Sequence, residues 1–163
     1  MIYNEKRHGN GENKTQIPAG NIKYMAEIEL IARALIQRDD EILLAHKIGE
    51  PNTFLPGGHV DYGEYTDIAL IRELREELGI EAEIGEFIGT LEYQFRDENG
   101  REHHEINFIY HAETPEPIQS KESHLEFQWC PVEKITEKTL LPEALPELIK
   151  KYLATGRIFH RIG

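Results

Sequence analysis

The chain has 163 residues, with 18 lysines and arginines against 30 aspartates and glutamates, so its formal net charge is −12. That size fits one domain with a sizeable core. The acid excess excludes a general binder of nucleic acid polymers or of anionic membranes, because phosphates are repelled at long range, but a small phosphorylated substrate stays open where a bound cation inverts the local sign.

Residues 1–23 are polar, with Gly9, Gly11 and Gly20 among them, and read as an N-terminal arm ahead of one domain over 24–163. From there Ile28, Leu30, Ala32, Ala34 and Ile36 alternate with mixed neighbours, which predicts a strand. Arg38-Asp39-Asp40 is a turn, and residues 41–47 form the returning strand of a hairpin. Thr53-Phe54-Leu55 is a short extended piece running into Pro56-Gly57-Gly58. Residues 66–78 carry helical periodicity and stop at Gly79. A long β segment follows over about 82–95, and Asn99-Gly100 turns it into a partner strand over 102–112. Residues 125–130 make a last short strand, and 142–154 a second helix that begins properly at Pro146 and closes at Gly156. The fold class is therefore α+β, an α/β/α sandwich with a mixed β-sheet flanked by helices.

The lone cysteine, Cys130, excludes an intrachain disulfide, and beside Trp129 and Pro131 it reads as buried packing. No apolar run approaches a membrane span and no apolar signal core follows Met1, so the expected location is cytoplasmic.

Chemistry concentrates in Gly57-Gly58-His59-Val60-Asp61-Tyr62-Gly63-Glu64 and the helix behind it. At about 100° per residue, Glu73, Glu76 and Glu77 share one helix face. Ile68, Ile71, Leu74 and Leu78 are expected on roughly the opposite side, packed on a sheet. Small Ala69 falls on the carboxylate side and leaves room for the glycine loop to fold back. Arg72 is placed to pair with Glu64 or Glu73 and fix their rotamers. Several carboxylates with a nearby carbonyl suit a hard divalent cation.

The pattern Gly58-x5-Glu64-x7-Arg72-Glu73-Leu74-x-Glu76-Glu77-x-Gly79-Ile80 resembles the Nudix box at every defined position. The chance of such a match in a chain of this composition is roughly 10⁻⁶. The resemblance implies a Nudix fold over about 26–155 and a Nudix hydrolase, which cleaves the diphosphate linkage of a nucleoside diphosphate derivative by attack of water on phosphorus. It implies Mg²⁺ or Mn²⁺ as cofactor. Glu76 and Glu77 would be the principal metal ligands, Glu73 a further ligand or the general base, and the Gly57 carbonyl a completing ligand. Glu64 and Arg72 would position those carboxylates. Family members often use another acid outside the box, and Glu122, in the loop before the last strand, is favoured over Glu126. His46 and Lys47, at a strand end before the box, and Tyr93 are the candidate substrate contacts. Phe54, Tyr62, Phe95 and Tyr110 are further aromatics open to base stacking. His103, His104 and Glu105 read as a polar cluster at a strand end. A small nucleotide-type substrate is the expected partner, with neither a nucleic acid polymer nor a membrane; the oligomeric state is not legible, and a homodimer stays open because members of the family are often dimers. The alternative is a non-catalytic Nudix-like module that binds a nucleotide or regulates a partner; the intact carboxylate set speaks against it. The substrate itself is not legible, nor is the phosphorus attacked.

Overall fold

The computed structural model describes residues 28–114 and 117–162. The expected arm over 1–23 lies outside the described residues. Seven strands run in the order β1 (Ile28–Arg38), β2 (Glu41–Lys47), β3 (Thr53–Phe54), β4 (Glu83–Arg96), β5 (Glu102–Glu113), β6 (Leu125–Pro131) and β7 (Phe159–Ile162). Helix α1 (Thr66–Leu78) separates β3 from β4, and α2 (Leu145–Thr155) precedes β7.

The sheet is mixed. Its order is β3-β2-β1-β5-β4-β7, with β6 paired to β2 off that path. Strand β1 joins two halves: Ile28 to Ile36 run parallel to His104 to Ala112 of β5, and only Gln37 and Arg38 pair with β2. In the other half β2 is flanked by β3 and β6, both antiparallel. The β4–β5 hairpin turns at Asn99-Gly100 as expected, and Asp97 holds the turn by accepting from the backbone N–H of Asn99 and of Arg101 at 2.9 and 2.8 Å.

Alternation along β1 divides the core between the two sheet faces. Ala32, Ala34 and Ile36 pack against Leu70, Leu74 and Leu78 of α1, whereas Leu35 packs with Leu145, Ile149 and Tyr152 of α2. The sandwich expected from the element order is therefore the observed architecture. Cys130 is buried in the α2-side core, and the Arg38 guanidinium lies 4.1 Å above the Trp129 ring.

Two elements were not legible. A 3₁₀ helix spans Val132–Glu137, too short for a periodicity signal. Strand β7 runs parallel to β4, with Phe159 opposite Gly89; four residues after a helix carry no pattern of their own. Helix α2 begins at Leu145, with Pro146 in its first turn and Gly156 as C-cap, within one residue of the start expected at Pro146, and residues 142–144 precede it.

Helix α1 has the expected bounds, but it is rolled differently. Its buried residues are Ala69, Leu70, Leu74, Glu77 and Leu78, while Ile68 is half exposed. The carboxylates thus adjoin the buried arc instead of opposing it, because the glycine loop covers the helix beside Glu77. Ile68 lies on the solvent side with Arg72 and Arg75. Replacing Leu74 by Ala is expected to lower the unfolding free energy by about 2–5 kcal/mol, and Ile68→Ala to change it by less than about 0.5 kcal/mol. Urea unfolding of the two variants checks this; similar losses would contradict the roll.

Candidate active site

Gly57 brings three elements together. Its backbone N–H donates to Glu77 Oε2 at 3.0 Å, its carbonyl accepts from Arg33 Nη1, and the chain runs on through Gly58, whose carbonyl accepts from Ala32 N at 2.9 Å. The residue has φ +119°, and a Cβ there would lie 2.2 Å from the Ala32 carbonyl oxygen. Only glycine fits. At Gly58 a Cβ would meet the Glu73 carboxylate at 2.5 Å. The paired glycines therefore let the loop lie directly on the carboxylate edge of α1.

Arg72 organises that edge. Its Nε and Nη2 hold both oxygens of Glu64 at 3.1 and 2.9 Å. Its Nη1 donates to Glu73 at 2.7 Å and reaches Glu76 at 3.4 Å, and its Nη2 also donates to the His59 carbonyl at 2.9 Å. The sequence left Glu64 and Glu73 as alternative partners, and Arg72 binds both. The hydrogen bonds from Arg72 hold the Glu64 carboxyl below the usual carboxylate range, and they raise the arginine's own pKa.

Glu77 is the buried member, 6% exposed. Burial pushes its carboxyl up to about 7; the Gly57 N–H and the charge of Arg33 work against that, and Glu73 and Glu122 add to it. Glu122 is close enough to be felt because its loop is pinned to the end of α1, where Lys121 N donates to the Glu77 carbonyl at 2.8 Å. The Glu122 carboxylate meets His124 at 3.1 Å. Glu126 lies across from His46 on β2, with its carboxylate 3.7 Å from that ring, and faces a different cavity.

The remaining sequence candidates separate. His46 Nε2 bonds the Glu50 carbonyl at 2.7 Å and Lys47 bonds the Glu50 carboxylate at 3.0 Å, so the site does not gather them. Tyr93 does belong to a cleft beside the glycine loop, a cavity of about 180 Å³ lined by Arg33, Phe54, Phe95, Glu105 and Asn107 among others. Tyr62 is fully exposed, and Tyr110 packs edge-on against Phe87 with its hydroxyl on Thr66. His103 and His104 pair with Glu29 and Glu92, both at 2.8 Å.

Sequence reasoning missed Arg33. Its signal was available, a charged residue between Ala32 and Ala34 on a buried strand. The guanidinium donates to the Leu55 carbonyl at 3.1 Å and lies 5.1 Å over the Phe54 ring. It feels the carboxylates of Glu105, Glu77 and Glu73 together, and so stands between the acidic edge and the cleft.

The donor set suits a hard divalent cation. It is all oxygen, and Glu77 has its carboxylate desolvated with only a backbone N–H in hydrogen-bond contact. Among the described residues no three acidic, His or Cys side chains are already gathered at ligand spacing, because Glu73 and Glu76 are turned to Arg72. Glu76 is largely exposed and able to swing. The Gly57 carbonyl keeps a second lone pair beside the one Arg33 occupies.

The model of the NUDIX domain matches residues 28–152. The chain belongs to the NUDIX family. It is 34% identical over 137 residues to the CTP pyrophosphohydrolase of Escherichia coli (strain K12), covering 80% of this chain and 94% of that protein. It is 29% identical to the NAD-capped RNA hydrolase NudC of Pseudomonas aeruginosa over 88% of this chain but only 50% of that protein. The solution structure of the E. coli ORF135 protein superposes with a TM-score of 0.59 at 30% identity, covering 79% of this chain and 93% of that one. A MutT protein from Methanosarcina mazei, at 22% identity and TM-score 0.64, shares the fold. The molecule is a Nudix hydrolase, as expected, and the alternative of a non-catalytic module is set aside.

The Arg72 clamp generates a pH prediction. Glu64 has a folded pKa below its unfolded value, so its pairing contributes fully above the unfolded pKa and is lost as pH falls through the folded one. The stability difference between wild type and Arg72→Met is expected to be largest near pH 7 and to shrink on acidification below the usual carboxylate range. Urea midpoints from pH 7 to 3 measure it, and a constant difference would contradict the clamp.

Proposed function

We propose that the protein is a divalent-cation-dependent hydrolase that cleaves the diphosphate linkage of a small nucleoside diphosphate derivative in the cytoplasm. The carrying observation is the acidic edge of α1 lying directly against the Gly57-Gly58 backbone, with an arginine-bearing cleft next to it. The names of relatives that act on CTP, on ADP-ribose and on NAD-capped RNA support the substrate class. They share a diphosphate attached to a nucleoside.

Glu73, Glu76 and Glu77 would hold the cation, Mg²⁺ or Mn²⁺, and the Gly57 carbonyl and Glu122 would complete the oxygen set. When bound, the cation neutralises the diphosphate oxygens and makes water a better nucleophile. Arg72 keeps Glu64 and Glu73 in fixed rotamers, so the carboxylates meet their charge already oriented. Whichever of Glu73 and Glu122 does not hold the cation accepts the proton of the attacking water. Both are half-buried beside the acidic edge, within reach of a water held there. Arg33 supplies fixed positive charge on the cleft side and offsets the repulsion between substrate anion and acidic edge. The Tyr93 and Phe95 rings, stacked at 5.0 Å, offer an apolar shelf for the base.

Phosphate or pyrophosphate release from a panel of nucleoside diphosphate derivatives, with and without Mg²⁺ or Mn²⁺, tests the reading. Release is expected only with the cation, and Glu77→Gln is expected to reduce it more than about 100-fold, beyond what losing an outer positioning group costs. Arg72→Lys keeps the charge but loses the fork, and is expected to reduce it about 10–100-fold. Hydrolysis that survives both chelation and Glu77→Gln would overturn the cation assignment.

A further inference from the structure

The cleft beside the glycine loop holds a polar pair with no role in the reaction described. Glu105 and Asn107 sit two apart on β5 and so face the same side of the sheet. Asn107 is a buried polar residue, 1% exposed. Its Nδ2 donates to Glu105 Oε2 at 3.2 Å. That contact orients the carboxylate, which accepts hydrogen bonds and donates none.

Flat apolar surfaces border this carboxylate. Tyr93 stands directly across from Glu105 on β4, Phe95 stacks on Tyr93 at an interplanar angle of 22°, and Phe54 lines the same cavity. Arg33 is in the cavity too, but its Nη1 is engaged by the carbonyls of Leu55 and Gly57, at the end nearest the acidic edge. The cavity of about 180 Å³ takes one flat heterocycle and not a whole nucleotide. A diphosphate over the Gly57 edge and a ring between the aromatics would bring one rim of that ring to Glu105.

We propose that Glu105, oriented by Asn107, selects nucleobases that carry an exocyclic amino group and rejects their keto counterparts. The inference rests on the nucleotide reading above and deepens it. An amino group donates to the carboxylate. A keto oxygen at the same ring position sets lone pairs against a fixed negative charge in a half-buried site, where the mismatch is not relieved by water. Glu105 therefore acts on which base is accepted and leaves the chemistry at phosphorus to the α1 edge.

The test uses two pairs in which an amino group is exchanged for a keto oxygen and the adjacent ring nitrogen gains a proton, CTP against UTP and ATP against ITP. Steady-state hydrolysis is measured for the full chain and for Glu105→Gln. The amino member of each pair is expected to have a kcat/KM about tenfold higher. Glu105→Gln is expected to bring each ratio within about threefold, by lowering the rate on the amino member and raising it on the keto member, because a carboxamide presents a donor as well as an acceptor. Equal rates within the wild-type pairs would overturn the proposal. So would an equal loss on all four substrates, which would put Glu105 in the reaction or in the fold. Failure of the hydrolase reading is distinguished by the absence of any hydrolysis. Binding of methylene-bridged CTP and UTP analogues, followed by calorimetry, then decides the base rule: tighter cytidine binding lost in Glu105→Gln supports it, and equal or absent binding overturns it.

Discussion

The position of the glycine loop against the edge of α1 is the constraint on which the rest of the structure depends. A backbone with no side chain at residue 57 approaches the Ala32 carbonyl, donates to a buried glutamate and accepts from a half-buried arginine. Each contact comes from a different element. Any Cβ at this point would push the loop off both β1 and α1 together. The buried glutamate would lose its N–H donor, and the arginine would lose one of its two carbonyl anchors.

From that junction the charge distribution follows. Three carboxylates on one turn of helix repel one another, and the fold manages this unevenly. Arg72 takes Glu64 and Glu73 and touches Glu76, while Glu77 is left in the loop's shadow, where burial raises its pKa. The box segment carries six acids against two arginines, so a local excess remains after every internal pairing. An edge in that condition gains from a cation more than from any further hydrogen bond. The overall −12 charge is thus two things at once, a general surface property and a concentrated demand at one edge.

The sheet explains why a cleft lies beside that edge. Because β1 runs parallel to β5 and β5 pairs antiparallel with β4, residues far apart in sequence share one face near the loop. Arg33, Glu105 and Tyr93 meet there, and the cavity they line runs from the acidic edge to an aromatic shelf. Periodicity places each residue on a face of its own strand. It says nothing of which strand becomes the neighbour, so the cleft was not legible.

Much of the helix and hairpin layout was legible, because capping glycines, turn dipeptides and alternation are local physics. The bounds of α1 and the Asn99-Gly100 turn came from such signals. So did the carboxylate spacing of the box, which alone marks the reaction class, since the helical repeat and the glycine pair are both properties of a short segment. What tertiary structure decided is the roll of α1 that buries Glu77 and exposes Ile68, the approach of Glu122 instead of Glu126, the pairing of His46 and Lys47 with Glu50, and the insertion of Arg33 between edge and cleft. Each depends on contacts between segments distant in the chain. Their energies come from burial and charge pairing in three dimensions, and no window of local sequence contains both partners.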